Sequence, residues 1–287
     1  MIWLLTMPET VKPSALPAYI PNIANGRTMF FAGGCGSCHA VTDQDDQTRL
    51  GGGLALKSTF GIFYAPNISP DRKDGIGAWS EAQFVTALVK GTSPDRHHYY
   101  PAFPYTSYQR MDYADVRDLF AFIMTLPEIS GKIRDHDLSF PYNFRRMIGG
   151  WKFLYFDGAP FRPDPAHSEQ WNRGSYLING PGHCAECHSP RNRLGAILDQ
   201  HRFAGGALLD QEGWVPNISR KRLDEWTAND FAYLLETGMT PEGDSVGSHM
   251  ASVARNTAQL SPEDRLAMAV YLKSLPVVEG TERPAAK

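Results

Sequence analysis

All four cysteines of the chain lie in two short motifs that each end in a histidine. The motif residues are Cys35, Cys38 and His39 in the first and Cys184, Cys187 and His188 in the second. Two thiols with two residues between them, followed directly by an imidazole, form the arrangement that attaches a c-type haem. The thiols form thioethers with the haem vinyl groups, and the histidine is the proximal iron ligand. The motifs therefore predict two covalently attached c-type haems.

Other uses of paired cysteines are zinc binding, thiol redox chemistry and disulfides. Zinc-binding pairs usually lie about 15–20 residues apart, whereas these pairs are separated by 149 residues (184 − 35). A redox pair of the thioredoxin type would lie in a βαβ pattern, which the sequence lacks, and it needs no trailing histidine. The haem interpretation is favoured because haem attachment needs both thiols and the adjacent histidine in this arrangement.

The chain repeats itself at a spacing of about 150 residues. The matching landmarks, beyond the two cysteine motifs, are Pro66 and Pro216, Trp79 and Trp226, Gly91 and Gly238, and Leu126 and Leu275. Their order and spacing are preserved, which predicts two copies of one domain in tandem.

Helix-start and helix-stop signals predict short helices in the first copy. We expect a helix from Asn22 to Phe31, leading into the first motif. Ser80 and Gln83 form a capping box for a helix that ends at Gly91. A further helix opens at Asp112, and its apolar face consists of Val116, Leu119, Phe120 and Ile123.

The second copy shows the same signals. Thr227 is predicted to cap a helix that ends at Gly238, and Ser261 with Pro262 opens the last helix. The apolar face of that last helix consists of Leu266, Val270 and Leu272. No segment shows strand alternation bounded by hairpin turns. The sequence therefore predicts an all-α fold in which helices pack around each haem without forming a bundle.

Composition limits the class of protein. The 287 residues are 42% hydrophobic and 21% charged, with a net charge of −3. This composition supports a buried core and argues against intrinsic disorder and against a general nucleic-acid binder. No apolar run approaches the roughly 20 residues of a membrane span. A polytopic membrane protein is therefore excluded.

We divide the chain into five segments on this basis. They are an N-terminal segment (1–21), a first domain (22–131), a connector (132–168), a second domain (169–276) and a C-terminal tail (277–287). The connector is rich in aromatic residues, Pro and Arg, unlike a flexible linker. We expect it to pack across both domains, with a surface for a partner protein as the alternative.

The first six residues are apolar but too few for a signal sequence or an anchor. We expect residues upstream of Met1, with this hexapeptide as the tail of a signal or of an inner-membrane anchor. The alternative is a disordered start. Because c-type haem normally meets its protein after export, we expect a periplasmic location.

Three segments closely resemble a known family. They are the run from Tyr100 to Tyr108, the segment from Trp171 to Leu177, and the stretch from Gly182 to Asn192. Over residues 22–276 the chain is similar to the cytochrome c subunits of membrane-associated periplasmic dehydrogenases for alcohols, gluconate and aldehydes. Those subunits usually contain three haem domains, whereas this chain has two haem motifs.

The resemblance implies two tandem cytochrome c domains that transfer electrons. The donor would be a dehydrogenase or a quinol-linked protein, and the acceptor a terminal oxidase or another cytochrome. The alternative is a diheme oxidoreductase, similar to thiosulfate dehydrogenases or peroxidases, that uses the first haem as a reaction centre. The resemblance also suggests residues that hold haem propionates, with ordinary turn and core roles as the alternative. These residues are Asn67, Trp79, Arg193, Asn217 and Trp226.

The distal iron ligand of the second haem is expected in the loop before the last helix. The suitable residues there are His249 and Met250, and the family resemblance favours Met250. Met239, just past a helix end, is expected to pack against apolar neighbours.

The first haem departs from the family pattern. Phe103 stands where the related subunits have the methionine ligand, and a phenyl ring cannot bind iron. Our expected replacement is Met111, whose alternative role is a hydrophobic staple at the helix start. His97 and His98 are the next candidates, and an iron without a distal ligand is the remaining possibility.

Overall fold

The computed structural model describes residues 6–208, 213–219 and 224–280. The chain divides after Phe161 into two compact units. The division falls inside the predicted connector, so residues 132–161 belong to the first unit. Residues 1–5, which include most of the expected signal or anchor tail, lie outside the described residues.

The first unit contains six of the described α-helices. They are α1 (Ile23–Ala32), α2 (Cys35–His39), α3 (Glu81–Lys90), α4 (Tyr105–Tyr108), α5 (Tyr113–Ile123) and α6 (Ile148–Tyr155). The capping box of Ser80 and Gln83 forms as predicted, and Gly91 ends α3 with a φ of 55°. Asp112 occupies the N-cap of α5, but its side chain makes no capping hydrogen bond.

The second unit repeats this arrangement. Its described helices are α7 (Glu169–Asn179), α8 (Ala185–His188), α9 (Ala228–Thr237), α10 (Ser248–Thr257) and α11 (Pro262–Ser274). Thr227 caps α9 in a capping box with Asp230, and Gly238 ends the helix with a φ of 73°. Pro262 occupies the first turn of α11, as predicted.

The predicted apolar face of α11 is only partly buried. Leu272 is buried, whereas Leu266 and Val270 are half-buried. Met268 and Tyr271 complete the buried side with Leu272. The burial pattern is therefore shifted by about one position around the helix from the predicted one.

Short strands accompany the helices, which the sequence did not predict. In the first unit β1 (Ala55–Ser58) and β2 (Gly61–Tyr64) form an antiparallel hairpin, and β3 (Asp137–Leu138) pairs with β2. In the second unit β4 (Gly206–Ala207) pairs with β5 (Trp214–Val215). Strands of two to four residues are too short to show a clear alternation. The fold remains all-α in class, with these strands at its edges.

The first and last helices of each domain cross closely. In the first unit α1 crosses α5, where a side chain at Gly26 would overlap the carbonyl of Asp118. The core at this crossing includes the fully buried Met29, Phe30 and Val116. The crossing of α7 and α11 repeats this packing in the second unit.

No helix within the described residues is long and apolar enough to cross a membrane. The connector contributes α6, which packs against the first unit through Lys152. Contact between the connector and the second unit remains a prediction.

Candidate haem-binding sites

The first cysteine motif forms the single short helix α2. Gly34 precedes it in the left-handed conformation with a φ of 55°. A side chain at Gly36 would overlap the backbone carbonyl of Gln47, so the loop at residue 47 lies directly against the helix. Cys35, Cys38 and His39 all keep exposed surface. The motif therefore packs against a neighbouring loop while its three functional residues keep part of their surface exposed.

The ring of His39 is oriented by a backbone carbonyl. Its Nδ1 lies 2.9 Å from the oxygen of Pro66 and can only donate to it. The other ring nitrogen, Nε2, then has a lone pair available for iron. Burial lowers the pKa of His39, which favours the neutral imidazole that metals bind.

His188 has the same environment in the second unit. Its Nδ1 lies 2.8 Å from the oxygen of Pro216, the repeat counterpart of Pro66. Burial also lowers the pKa of His188. The two histidines are therefore prepared identically as ligands.

The second motif is stabilised by an ion pair. Arg191 lies 2.6 Å from the carboxylate of Glu186, which lies between the two cysteines, and both side chains are largely buried. Arg191 also donates to the backbone carbonyls of Glu186 and Gly195. This network fixes the loop that follows His188.

The thiols lack the lowered pKa that is typical of a redox-active pair. Although Cys35 and Cys184 keep some exposed surface, burial raises the pKa of each thiol to about 12. Redox-active cysteine pairs instead have a lowered pKa. No cluster of three or more His, Cys, Asp or Glu suited to a metal ion occurs in the described part of the chain. The zinc and redox interpretations gain no support, and the donor set fits a c-type haem.

Asn67 serves the backbone of its own domain. Its amide nitrogen donates to the carbonyls of Ile129, at 2.6 Å, and Gly131, at 3.1 Å. Its oxygen accepts from the backbone nitrogen of Ser69 at 2.9 Å. Both amide hydrogens are thus used, and the contacts favour the turn role over the predicted contact with a propionate.

Asn217 repeats two of these contacts. Its amide nitrogen donates to the carbonyl of Val278 at 2.8 Å, and its oxygen accepts from Ser219 at 2.8 Å. The repeated Pro-Asn-Ile-Ser sequence therefore does two jobs. Its proline orients the histidine ring, and its asparagine ties that segment to the chain beyond the last helix.

The other predicted propionate residues lie in different settings. The indole nitrogen of Trp226 donates to the carboxylate of Glu242 at 3.0 Å. Trp79 is half-buried, and Arg193 is exposed. Contact of these three residues with a propionate remains a prediction.

Met250 and His249 lie on α10, so their expected position in a loop is wrong. Met250 is half-buried in the third position of that helix, and His249 beside it is exposed. A loop was predicted here because the sequence around Ser248 is polar and does not indicate that a helix begins at this residue. Met239 is 39% exposed, which argues against its expected packing role.

The residues proposed as distal ligands of the first haem differ in burial. Met111 is 1% exposed and directly precedes the N-cap of α5, which favours the staple role. His98 is 3% exposed, and His97 is exposed. Phe103 is half-buried among aromatic side chains.

Sequence reasoning missed the contact between the connector and the loop after α3. Lys152 Nζ donates to the carbonyls of Lys90 and Gly91, both at 2.7 Å. The Arg145 guanidinium donates to the carbonyl of His98 at 3.2 Å. The aromatic and basic composition of the connector indicated that it packs against the protein. Composition alone does not identify which loop it contacts.

The family of the chain follows from comparison with known proteins. The family model of cytochrome c matches it twice, over residues 23–127 and 172–276. The chain belongs to the cytochrome c family, with two tandem domains and two c-type haems.

Individual relatives refine this assignment. The chain is 47% identical over 284 residues to a diheme c-type cytochrome of Cereibacter sphaeroides, covering 97% of this chain and 94% of that protein. It is 34% identical to the fructose dehydrogenase cytochrome subunit of Gluconobacter japonicus, covering 93% and 55%. It is 33% identical to the cytochrome c subunit of a quinone alcohol dehydrogenase of Gluconobacter oxydans, covering 85% and 52%. The chain thus spans about half the length of these two dehydrogenase subunits.

Proposed function

We propose that the protein relays single electrons from a dehydrogenase to a respiratory acceptor. The repeated histidine site is the main support, because each domain orients one imidazole through its Nδ1 and presents two thiols beside it. The haem supplies the one-electron chemistry when bound. The chain's own residues attach it, fix its proximal ligand and set the polarity around it.

In the second domain we assign Met250 as the distal ligand. Its side chain retains exposed surface on α10, as a ligand to a group outside the polypeptide requires. A thioether opposite an imidazole raises the reduction potential relative to two imidazoles. Such a closed site suits electron transfer, since both axial positions are occupied by side chains.

The partners and the location are also part of the proposal. Dehydrogenase cytochrome subunits among the relatives support a dehydrogenase as the donor. We propose a terminal oxidase or a soluble cytochrome as the acceptor. Attachment of c-type haem after export supports a periplasmic location, with an anchor upstream of Met1 as a further element.

The experiment compares the native host with a strain that lacks this chain. Cell envelopes of both strains receive alcohols, fructose, gluconate or nicotinate. The reduction of c-type haem and the uptake of oxygen are then followed. We expect deletion to abolish oxygen uptake with one of these substrates, and the intact chain to restore it. The double variant Cys184→Ala and Cys187→Ala should not restore it, because the relay needs both haems.

A control uses the purified haem-loaded protein alone. We expect these substrates to leave its haems oxidised until the dehydrogenase is added. Sustained substrate oxidation by the purified chain would contradict the relay and support an oxidoreductase. So would unchanged oxygen uptake with every substrate after deletion.

The oxidoreductase alternative, with the first haem as its reaction centre, has one specific observation in its favour. Phe103 replaces the methionine of the related subunits, and its ring has no atom that binds iron. The two domains therefore differ in the side chain at the position of the distal ligand.

A further inference from the structure

The loops after α3 and α9 share one hydrogen-bond pattern at an offset of 147 residues. The backbone nitrogen of Tyr99 donates to Gly91, and that of Val246 donates to Gly238, both at 2.8 Å. Inside these loops, isolated bridges join Thr92 to His98 and Met239 to Ser245 at the same offset. Phe103 lies four residues after Tyr99, and Met250 lies four residues after Val246. The two residues are therefore related by the same offset of 147. Phe103 is therefore the structural counterpart of the proposed ligand Met250.

The segments before α5 and α11 match at an offset of 149 residues. The nitrogen of Met111 donates to Tyr108 at 2.9 Å, and that of Leu260 donates to Thr257 at 3.1 Å. Met111 is thus the counterpart of Leu260, and the two side chains are 1% and 5% exposed. A side chain that binds a group outside the polypeptide must keep surface that the polypeptide leaves uncovered. Met111 lacks such surface, so it fills the core as Leu260 does.

Neither histidine near Phe103 stands at the counterpart of Met250 in the register of the two loops. His98 is 3% exposed, and its Nε2 lies 3.0 Å from the carbonyl of Thr6. The repeat counterparts of His97 and His98 are Asp244 and Ser245, which lie in the exposed part of the second loop. His97 keeps exposed surface, but in the register of the loops it corresponds to Asp244 and Phe103 corresponds to Met250.

The connector holds this first loop in place. Lys152 binds the carbonyls of Lys90 and Gly91 at its start, and Arg145 binds the carbonyl of His98 near its end. Moving His98 to the place of Phe103 would displace the carbonyl that Arg145 binds. The loop is therefore fixed in a conformation that presents Phe103.

Aromatic rings surround Phe103. Its ring centroid lies 5.5 Å from that of Tyr99, 6.4 Å from Tyr105 and 5.6 Å from Tyr108. Burial raises the pKa of Tyr99 to about 12, so its hydroxyl stays protonated and does not offer a phenolate. In the aromatic cluster of Tyr99, Phe103, Tyr105 and Tyr108, Tyr105 and Tyr108 are buried, so the rings beside Phe103 are largely shielded from solvent.

We propose that the first domain binds a small neutral haem ligand, of the carbon monoxide class, at the axial position opposite His39. Among the described residues, neither Met111 nor His97 or His98 stands at that position in the register of the loops, and Phe103 does. The inference rests on the proposed function in one respect only, because it requires the two attached haems. It assigns different roles to the domains: the second has a closed iron, and the first has an iron open to small ligands.

The test titrates the dithionite-reduced, haem-loaded protein with carbon monoxide and follows the Soret band. We expect about one carbon monoxide per chain, that is, per two haems. Phe103→Met supplies the missing thioether, so this variant should lose carbon monoxide binding. In its oxidised state, this variant should also gain a second sulfur-to-iron charge-transfer band. Phe103→Leu is the matched control and should keep the binding.

The reciprocal change keeps the test decisive if Phe103→Met does not fold. Met250→Phe opens the second haem and should raise the stoichiometry to about two per chain. Two attached haems that bind no carbon monoxide would overturn this inference and leave the electron relay intact. Equal binding in Phe103→Met and the unaltered protein would also overturn it. Fewer than two attached haems would instead contradict the proposed function.

Discussion

Gly174 lies directly against the backbone carbonyl of Ala267 where α7 crosses α11. A methyl group at residue 174 would overlap that oxygen and approach the Cβ of Tyr271 to 3.0 Å. The crossing of α1 and α5 has the same relationship between Gly26 and Asp118. These two glycines, 148 residues apart (174 − 26), set the distance between the helices that frame each domain.

Gly174→Ala should therefore destabilise the second domain. Overlap with a backbone atom cannot be relieved by a rotamer change, and overpacking of this kind costs about 1–3 kcal/mol. Urea unfolding of the haem-loaded protein measures the change. Gly150→Ala is the control, since a Cβ there meets nothing within 4 Å on α6. Equal stability of the two variants would show that the crossing relaxes freely.

Loss of one cysteine pair should remove one haem. Cys184→Ala together with Cys187→Ala should leave about half of the covalently attached haem, because each domain holds its own cofactor. Mass spectrometry of the intact chain counts the attached haems. Cys35→Ala together with Cys38→Ala is the matched variant and should leave the other haem. Two haems on either double variant would contradict the assignment of the thiols.

Local signals in the sequence predicted the ends of α3 and α9 correctly. The capping boxes at Ser80 and Thr227 form with the partners three residues later, and Gly91 and Gly238 end their helices. Such signals involve residues within one turn of each other, so one sequence segment contains all the information. The haem motifs are equally local.

Features that depend on distant contacts were not predictable in this way. Ser58 and Gly61 pair across a two-residue turn, but the paired strands are only four residues long. Met111 was expected to bind iron because it is the nearest methionine downstream of Phe103, whereas its burial depends on how α5 packs. The family resemblance suggested a propionate contact for Asn67, and its backbone partners were not visible in the local sequence because they lie more than 60 residues away.

Met250→Ala and Met111→Ala should have different consequences. Met250→Ala should remove the sulfur-to-iron charge-transfer band, since it removes the proposed ligand. Met111→Ala should leave that band unchanged and lower the free energy of unfolding by about 2–5 kcal/mol, as for other fully buried methionines. Absorption spectra and urea unfolding distinguish the two effects. Loss of the band in Met111→Ala would restore Met111 as an iron ligand.

The stability of the first domain should depend on pH through Lys152. Burial is the main cause that lowers the pKa of Lys152 from 10.5 to about 7. Between these values the unfolded chain binds a proton that the folded chain does not, so the free energy of unfolding rises with pH. The slope is at most about 1.4 kcal/mol per pH unit. Below pH 7 both states are protonated, and this contribution becomes constant.

Lys152→Met tests this dependence, because it removes the titrating group but keeps an apolar stem against Tyr105. Urea unfolding of the haem-loaded protein is measured from pH 6 to pH 10 for both chains. The difference between their free energies of unfolding cancels every other titrating group, provided these are unaffected by the substitution. That difference should grow with pH in favour of the unaltered protein. Lys57→Met, at an exposed position, should give no such trend, and a flat difference for Lys152→Met would show that Lys152 stays charged in the fold.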